Sequence, residues 1–452
     1  MNVPRVVVVG AFGALFTVSA MAAVTPEEAK KLGSELTLFG AIKAGNADGS
    51  IPEYTGGLDK PVPGFDPKSG KYVDPFTAEK PIVRITAQNM EQYADKLSDG
   101  VKHLLKTNAD YFLDVYPSHR TAAYPKAVLE ATGRNATSCK TIEDQLGVDT
   151  SCRGGLPFPI PKTGYEVMWN KMLAWTGNGA WDGQGVRSYM VSSAGSPVMT
   201  AEIRSYTEKP FYQTDRSDRS EGMALRLFSR TDAPSRKAGE ATGYADFLDP
   251  AASPRKAWSY APGQRRIKMA PEFSYDTPVS TTGGVMLYDE IFLFTGLMDR
   301  FDFKLVGKKE MYIPYNNYKM TECTPDKWAQ AKHMNAACER WELHRVWVVE
   351  STLKPGMRHV YNKRTYYFDE DSYNAGLMDG WDQAGNLYRT GVSYAYAAYE
   401  VPAINSPSFT IYDFNRGMYS RQSDFSQGRL LYISAKPERD LNPEAIAGGG
   451  IR

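Results

Sequence analysis

The sequence predicts an α+β protein that is mainly β: one large curved antiparallel sheet, plugged by helices and wrapped by a long N-terminal segment. Three observations predict it. From residue 186 to residue 413, twelve short segments of strand composition follow one another, separated by turn signals such as Ser193-Ala194-Gly195-Ser196 and Ala261-Pro262-Gly263-Gln264. Aromatic residues make up 12% of the chain, beside 39 Gly and 28 Pro, a composition of strands and turns rather than helix bundles. From 45 to 81, 12 of 37 residues are Gly or Pro. Such a stretch forms neither helix nor central strand and runs as an extended wrap. A sheet of twelve strands must curl or close.

The elements follow in order. Arg5, the apolar run 6–18 and Ala20-Met21-Ala22 have the order of a secretory signal cleaved after residue 22. Thr25-Pro26-Glu27-Glu28 carries a cap, a proline for the first helical position and a capping box, and Gly33 stops the helix. In 87–106, Met90, Tyr93, Leu97, Val101, Leu104 and Leu105 recur at spacings of three and four, one apolar stripe on a helix. The expected strands are 186–192, 198–206, 222–230, 240–248, 255–260, 264–269, 301–306, 309–315, 341–353, 358–369, 387–400 and 408–413. In 341–353, Trp341, Leu343, Arg345, Trp347 and Val349 alternate with His344, Val346, Val348 and Glu350. The expected organisation is a signal at 1–22, a helical and wrapping region at 23–164, the curved sheet at 165–440 and a flexible tail at 441–452.

With 53 basic and 52 acidic residues, the chain has no basic excess for nucleic acid. The four cysteines form two local clusters. Export favours the disulfides Cys139–Cys152 and Cys323–Cys338, each contributing roughly 3 kcal/mol through the unfolded chain. A four-thiolate zinc site competes, although neither spacing has the close pairs of zinc motifs.

Motifs for catalysis are absent: no G-x-S-x-G, P-loop, H-E-x-x-H or helix-opening G-x-G-x-x-G occurs. His103, His119, His333, His344 and His359 show no metal-binding spacing, so no metal or cofactor is expected. Asp369-Glu370-Asp371, with Asp379 and Asp382 downstream, offers hard ligands for calcium, but without an EF-hand pattern it reads as a solvated turn. Asp289-Glu290 lies in an apolar stretch and needs partners, for which Arg265 and Arg266 are candidates. The pair reads as a structural ion pair or, alternatively, as the acid and base of a hydrolase.

Residues 258–266 read as a tight hairpin with Trp258 and Tyr260 on one face and the two arginines opening its second strand. Aromatic residues recur on other strands, and a curled sheet that gathers them on its concave side makes a broad cavity. The expected lining is Trp258, Tyr260, Trp347, Phe368 and Tyr394, with Arg265 or Arg266 meeting a headgroup at the mouth.

Several segments together resemble the DUF1329 family of exported bacterial proteins, which is grouped with LolA/LolB-like lipoprotein carriers. They are Gly45-Asn46-Ala47, Ile51-Pro52-Glu53-Tyr54-Thr55-Gly56-Gly57, Val115-Tyr116-Pro117-Ser118-His119-Arg120 and Gly154-Gly155-Leu156-Pro157-Phe158-Pro159-Ile160-Pro161. Later come Glu166-Val167-Met168-Trp169-Asn170, Tyr312-Ile313-Pro314-Tyr315-Asn316 and Arg364-Thr365-Tyr366-Tyr367-Phe368-Asp369-Glu370-Asp371. After Trp169-Asn170 that family has a histidine and then an arginine; this chain has Lys171 and then Ala174-Trp175. The resemblance implies a LolA/LolB-like open barrel around a hydrophobic cavity, a periplasmic setting, and partnership with an RND-type (MMPL-like) inner-membrane exporter and a DUF1302-type outer-membrane protein. It brings no catalytic residues.

The expected function is thus a non-enzymatic periplasmic carrier or receptor for a lipid, acyl chain or lipoprotein anchor, working with an envelope transport system. The alternatives are an envelope assembly or adaptor protein that grips its partner with the 45–81 arm, and a periplasmic hydrolase using Asp289 and Glu290.

Overall fold

The computed structural model describes residues 24–177, 179–217 and 222–448; the expected signal lies outside the described residues. The N-terminal region contains α1 (Pro26–Ala29), β1 (Val83–Ile85), α2 (Asp99–Thr107), β2 (Leu113–Tyr116), α3 (Lys126–Ser138), the small hairpin β3 (Thr141–Ile142) and β4 (Gly147–Val148), and α4 (Gly164–Met172). Six strands follow: β5 (Ala180–Val191), β6 (Pro197–Glu208), β7 (Met223–Ala233), β8 (Ala241–Phe247), β9 (Lys256–Ala261) and β10 (Arg266–Met269). The second half has β11 (Phe301–Pro314), α5 (Tyr318–Glu322), α6 (Pro325–Trp328), β12 (Trp341–Leu353), β13 (Lys363–Asp369), β14 (Gly376–Trp381), β15 (Leu387–Ala398), β16 (Ala403–Asp413), β17 (Met418–Asp424), β18 (Arg429–Ile433) and α7 (Pro443–Gly448).

Sixteen of these strands form one sheet. Two meanders, β5 to β10 and β11 to β17, join where β17 and β18 both pair with β5. Every pairing is antiparallel except β2 with β12, through which β1 and β2 from the N-terminal region extend the same sheet. The expected segments 301–306 and 309–315 are one strand, β11, whose register shifts between Leu305 and Gly307. Gly307 has a φ of 136° there, open to glycine alone.

The Thr25 capping box forms as expected. The helix expected over 87–106 is split: a 3₁₀ turn at Met90–Lys96 precedes α2, because the Ser98 side chain accepts from the Val101 amide and starts a new helix. Where a loose tail is expected, Pro443–Gly448 is helical and follows buried Leu441, which packs with Trp258. Disulfides join Cys139 to Cys152 and Cys323 to Cys338. No helix among the described residues is long and apolar enough to cross a membrane.

The sheet is covered on both faces. Tyr367 and Leu377 point into one core, which the wrapping segment seals with Ile51 and Tyr72. Tyr366, Phe368 and Met378, their alternating neighbours, point into a second core with α4 residues Val167, Met168 and Trp169. A double-sided sheet explains why β12, expected to alternate, is buried almost throughout.

Topology then imposes a plug. Among the described strands, β10 pairs only with β9 and β11 only with β12, so each is a sheet edge. The connection between them, residues 270–300, must therefore cross a face of the sheet, and it crosses on the side of the second core, contributing Met286, Leu293 and Phe294.

Candidate functional site

The crossing segment is pinned by Asp289 and Glu290. Asp289 Oδ2 accepts from Arg364 Nη1 at 2.7 Å and lies 3.0 Å from His359 Nε2. Burial alone would raise this carboxyl group, yet Arg364 and His359 hold it well below the usual carboxylate range. Glu290 accepts from the Leu287 amide at 2.7 Å, from Arg389 Nη1 at 3.0 and 3.1 Å, and from the Tyr361 hydroxyl. The structural ion-pair reading of these acids holds, but with partners on β13 and β15. Arg265 and Arg266, the partners expected from sequence, are exposed at the β9–β10 turn, away from it.

Immediately after the pinned acids, Phe292 and Leu293 adopt φ values of 54° and 71°. Two successive non-glycine residues in the left-handed region persist only where the surroundings hold them, and here the buried ion pairs do. The turn aims the Phe292 ring between Trp181 of β5, at 6.2 Å, and Phe409 of β16, at 5.9 Å.

Two adjoining hollows lie beneath this segment, sharing Trp181, Thr207 and Phe292 as their common wall. The larger, of about 140 Å³, is bounded by Ile203, Leu227 and Tyr244 on the sheet and by Phe273, Met286 and Tyr288 on the crossing segment. The smaller, of about 60 Å³, lies between the end of α4, the β6 exit and residues 292–297, and is lined by Lys171 and Lys209. Helix α4 is set by its own capping box, Thr163 with Glu166, and by Asn170, whose side chain bridges the Phe158 amide and carbonyl at 3.0 and 2.7 Å. The arrangement is two adjoining, mostly apolar chambers, the smaller of which carries two lysines on its wall.

The acidic cluster at 369–371 differs from expectation. It is a fully buried ionic network, not a solvated turn. Arg120 grips Asp371 bidentately at 2.6 and 2.8 Å, and Lys308 binds Glu370 at 2.6 Å. His344, Asp369 and Asp371 are close enough to share a metal ion. Burial would lower the His344 imidazole, but Asp369 and Glu342 on its two sides raise it to about 9. Glu342 Oε2 at 3.1 Å and Asp369 Oδ1 at 3.5 Å flank the two imidazole nitrogens, so within the chain these residues form an ion network.

The ring residues expected to line a cavity are spread over three clusters and both faces. Trp258 is buried against Phe228, with ring centres 6.1 Å apart, and half-buried Tyr260 shares that cluster. Trp347 is half-buried under the Lys308 ammonium at 4.3 Å. Tyr394 lies in the other core, its hydroxyl donating to Glu339 at 3.0 Å. Phe368 lies behind the smaller hollow, with its ring 5.7 Å from the Lys171 ammonium. None of these five, nor Arg265 or Arg266, lines either hollow; Trp181, Phe292 and the two lysines do.

Fold and site together define a class: a sheet protein with an internal two-chamber hollow beneath a pinned crossing segment. The chain belongs to the family described as "Protein of unknown function (DUF1329)", whose model matches residues 84–447. It is 38% identical over 449 residues to the uncharacterized protein PA3922 of Pseudomonas aeruginosa, covering 97% of this chain and 96% of that one. Among solved structures it is similar to a DUF1329 family protein from Desulfovibrio piger, with TM-score 0.43, 12% identity, and coverage of 63% of this chain and 97% of that one. It is also similar to the LolA superfamily protein NE2245 from Nitrosomonas europaea, with TM-score 0.36, 8% identity, and coverage of 63% and 99%.

Proposed function

We propose that this protein is a periplasmic carrier or receptor for a hydrophobic or amphipathic ligand such as a lipid, acyl chain or lipoprotein anchor. In this reading it passes that ligand along an envelope transport system, with an RND-type (MMPL-like) inner-membrane exporter and a DUF1302-type outer-membrane protein as partners. The observation that carries it is the apolar chamber of about 140 Å³ between the sheet and the crossing segment. Each methylene moved from water into such a chamber contributes roughly 0.8 kcal/mol, so an apolar tail is the natural occupant. A carrier needs this burial and no covalent step. The hydrolase alternative is less well supported, because Asp289 and Glu290 are buried, are matched to Arg364 and Arg389, and line neither hollow. The adaptor alternative requires the 45–81 arm to be free, whereas Tyr72 is buried and the Leu58 amide donates to the Thr121 carbonyl at 3.0 Å.

The test is calorimetric titration of the delipidated mature chain with an eight-carbon fatty acid and 1-octanol. Saturable binding at one site per chain is expected. Absence of binding by protein whose circular dichroism is intact defeats the reading.

A further inference from the structure

Lys171 and Lys209 line the smaller chamber, and both are buried, with relative exposures of 5% and 9%. Burying an ammonium is costly unless something compensates it. Among the described residues neither has a carboxylate partner. The Lys171 side chain makes no hydrogen bond or ion pair among the described residues, and its ammonium lies 5.7 Å from the ring of Phe368. Lys209 donates to the Ala174 carbonyl, which leaves two of its three donors. The one acid on the chamber wall, Asp246, is gripped by Arg255 at 2.6 and 2.7 Å. Burial pushes the Lys171 amine down to about 8, and burial with the like charge of Lys171 lowers Lys209 well below the usual range. Near neutral pH, Lys171 remains mostly protonated and would be stabilised further by an anion.

We propose that the smaller chamber is an anion site for the carboxylate or phosphate head of an amphipathic ligand, bound by Lys171 and Lys209, with the apolar tail beyond Trp181 and Phe292 in the larger chamber. The assignment rests on the carrier reading above and adds the ligand's charge and polarity. It also bounds the ligand's size. An apolar cavity of ~150 Å³ admits benzene, so the larger chamber as it stands takes a tail of about six to eight carbons.

The probes are octanoate, octyl phosphate, 1-octanol, acetate and inorganic phosphate, titrated calorimetrically into the delipidated mature chain at neutral pH. Octanoate or octyl phosphate is expected to bind at least about tenfold more tightly than 1-octanol, the worth of one charge-assisted hydrogen bond. Lys171→Met should remove that advantage, bringing octanoate and octyl phosphate down to the affinity of 1-octanol. Octanoate affinity should fall as pH is raised through about 8, while 1-octanol affinity stays level. The groups facing the site that govern this profile are the two lysines and the Asp246–Arg255 pair. Equal binding of octanoate, octyl phosphate and 1-octanol overturns the head-group assignment and leaves the carrier reading standing. Binding of acetate or inorganic phosphate as tight as that of the eight-carbon anions makes this a free-anion site and overturns the amphiphile. Failure of all the eight-carbon probes, 1-octanol included, defeats the assignment together with the carrier reading on which it rests. These comparisons use the unsubstituted protein, so a variant that fails to fold does not affect them.

Discussion

Two groups of buried charges differ in one respect. Asp289 and Glu290 are surrounded by Arg364, Arg389, His359 and Tyr361, so their charges are matched within the chain. Lys171 and Lys209 line the smaller chamber with no carboxylate partner among the described residues. Both groups face the desolvation cost of burial. The first offsets it internally and holds a strained turn in place. The second is left unmatched, which makes sense if the counter-charge arrives from outside.

The largest expected contrast is in stability. Asp289→Ala leaves Arg364 buried without its partner and should cost about 3–5 kcal/mol, read as a lower urea midpoint. Lys171→Met removes a charge with no partner to orphan, so its midpoint should stay level or rise. Equal losses from the two substitutions would erase the distinction.

The pH dependence sharpens it. The folded Lys171 value, about 8, lies below the ordinary lysine value of 10.5. Between these limits the unfolded chain binds more protons than the folded one, so stability from this group rises with pH across that window, by up to about 3 kcal/mol. The difference in urea stability between the parent and Lys171→Met should therefore shrink from pH 8 toward pH 10. For Asp289, with its value depressed, the contribution is present above the ordinary carboxylate range and is lost as pH falls below it.

The smallest expected effects are at the β9–β10 turn. Arg265→Ala and Arg266→Ala touch exposed side chains and should change stability by no more than about 0.5 kcal/mol. Their effect on octanoate affinity should be correspondingly slight. A large loss of binding there would move the head-group site from the lysine chamber to the hairpin.

Local patterns made much of the sheet legible. Alternation and composition placed β12 at residues 341–353, residue for residue, and the hairpin at 258–266. Seven strands escaped, β1 to β4, β14, β17 and β18, and β14 and β17 show why. In β14, Gly376 and Gly380 and the acid Asp379 resemble a loop, and in β17 the buried residues include Ser420, Arg421 and Gln422. They are strands because both edges of each are occupied by neighbours, a condition set far away in the chain. Asp379 shows the same effect in one residue. Burial raises it to about 6, although Thr390, Ser98 and the Gly100 amide hydrogen-bond to it, and nothing in the adjacent sequence signals that contact.

By itself the sequence determined the β-rich class, the turns, the wrapping arm, the cysteine pairs and the α1 cap. Each of these depends on segments that are local in sequence, where propensity, periodicity and short loop closure act. Only the tertiary structure decided which strand ends the sheet at each edge, and hence that residues 270–300 must cross its face. It also decided that Asp289 and Glu290 find their arginines on β13 and β15, and that two lysines 38 positions apart share one chamber. Those outcomes depend on desolvation and charge matching among groups distant in sequence, and no local pattern encodes them.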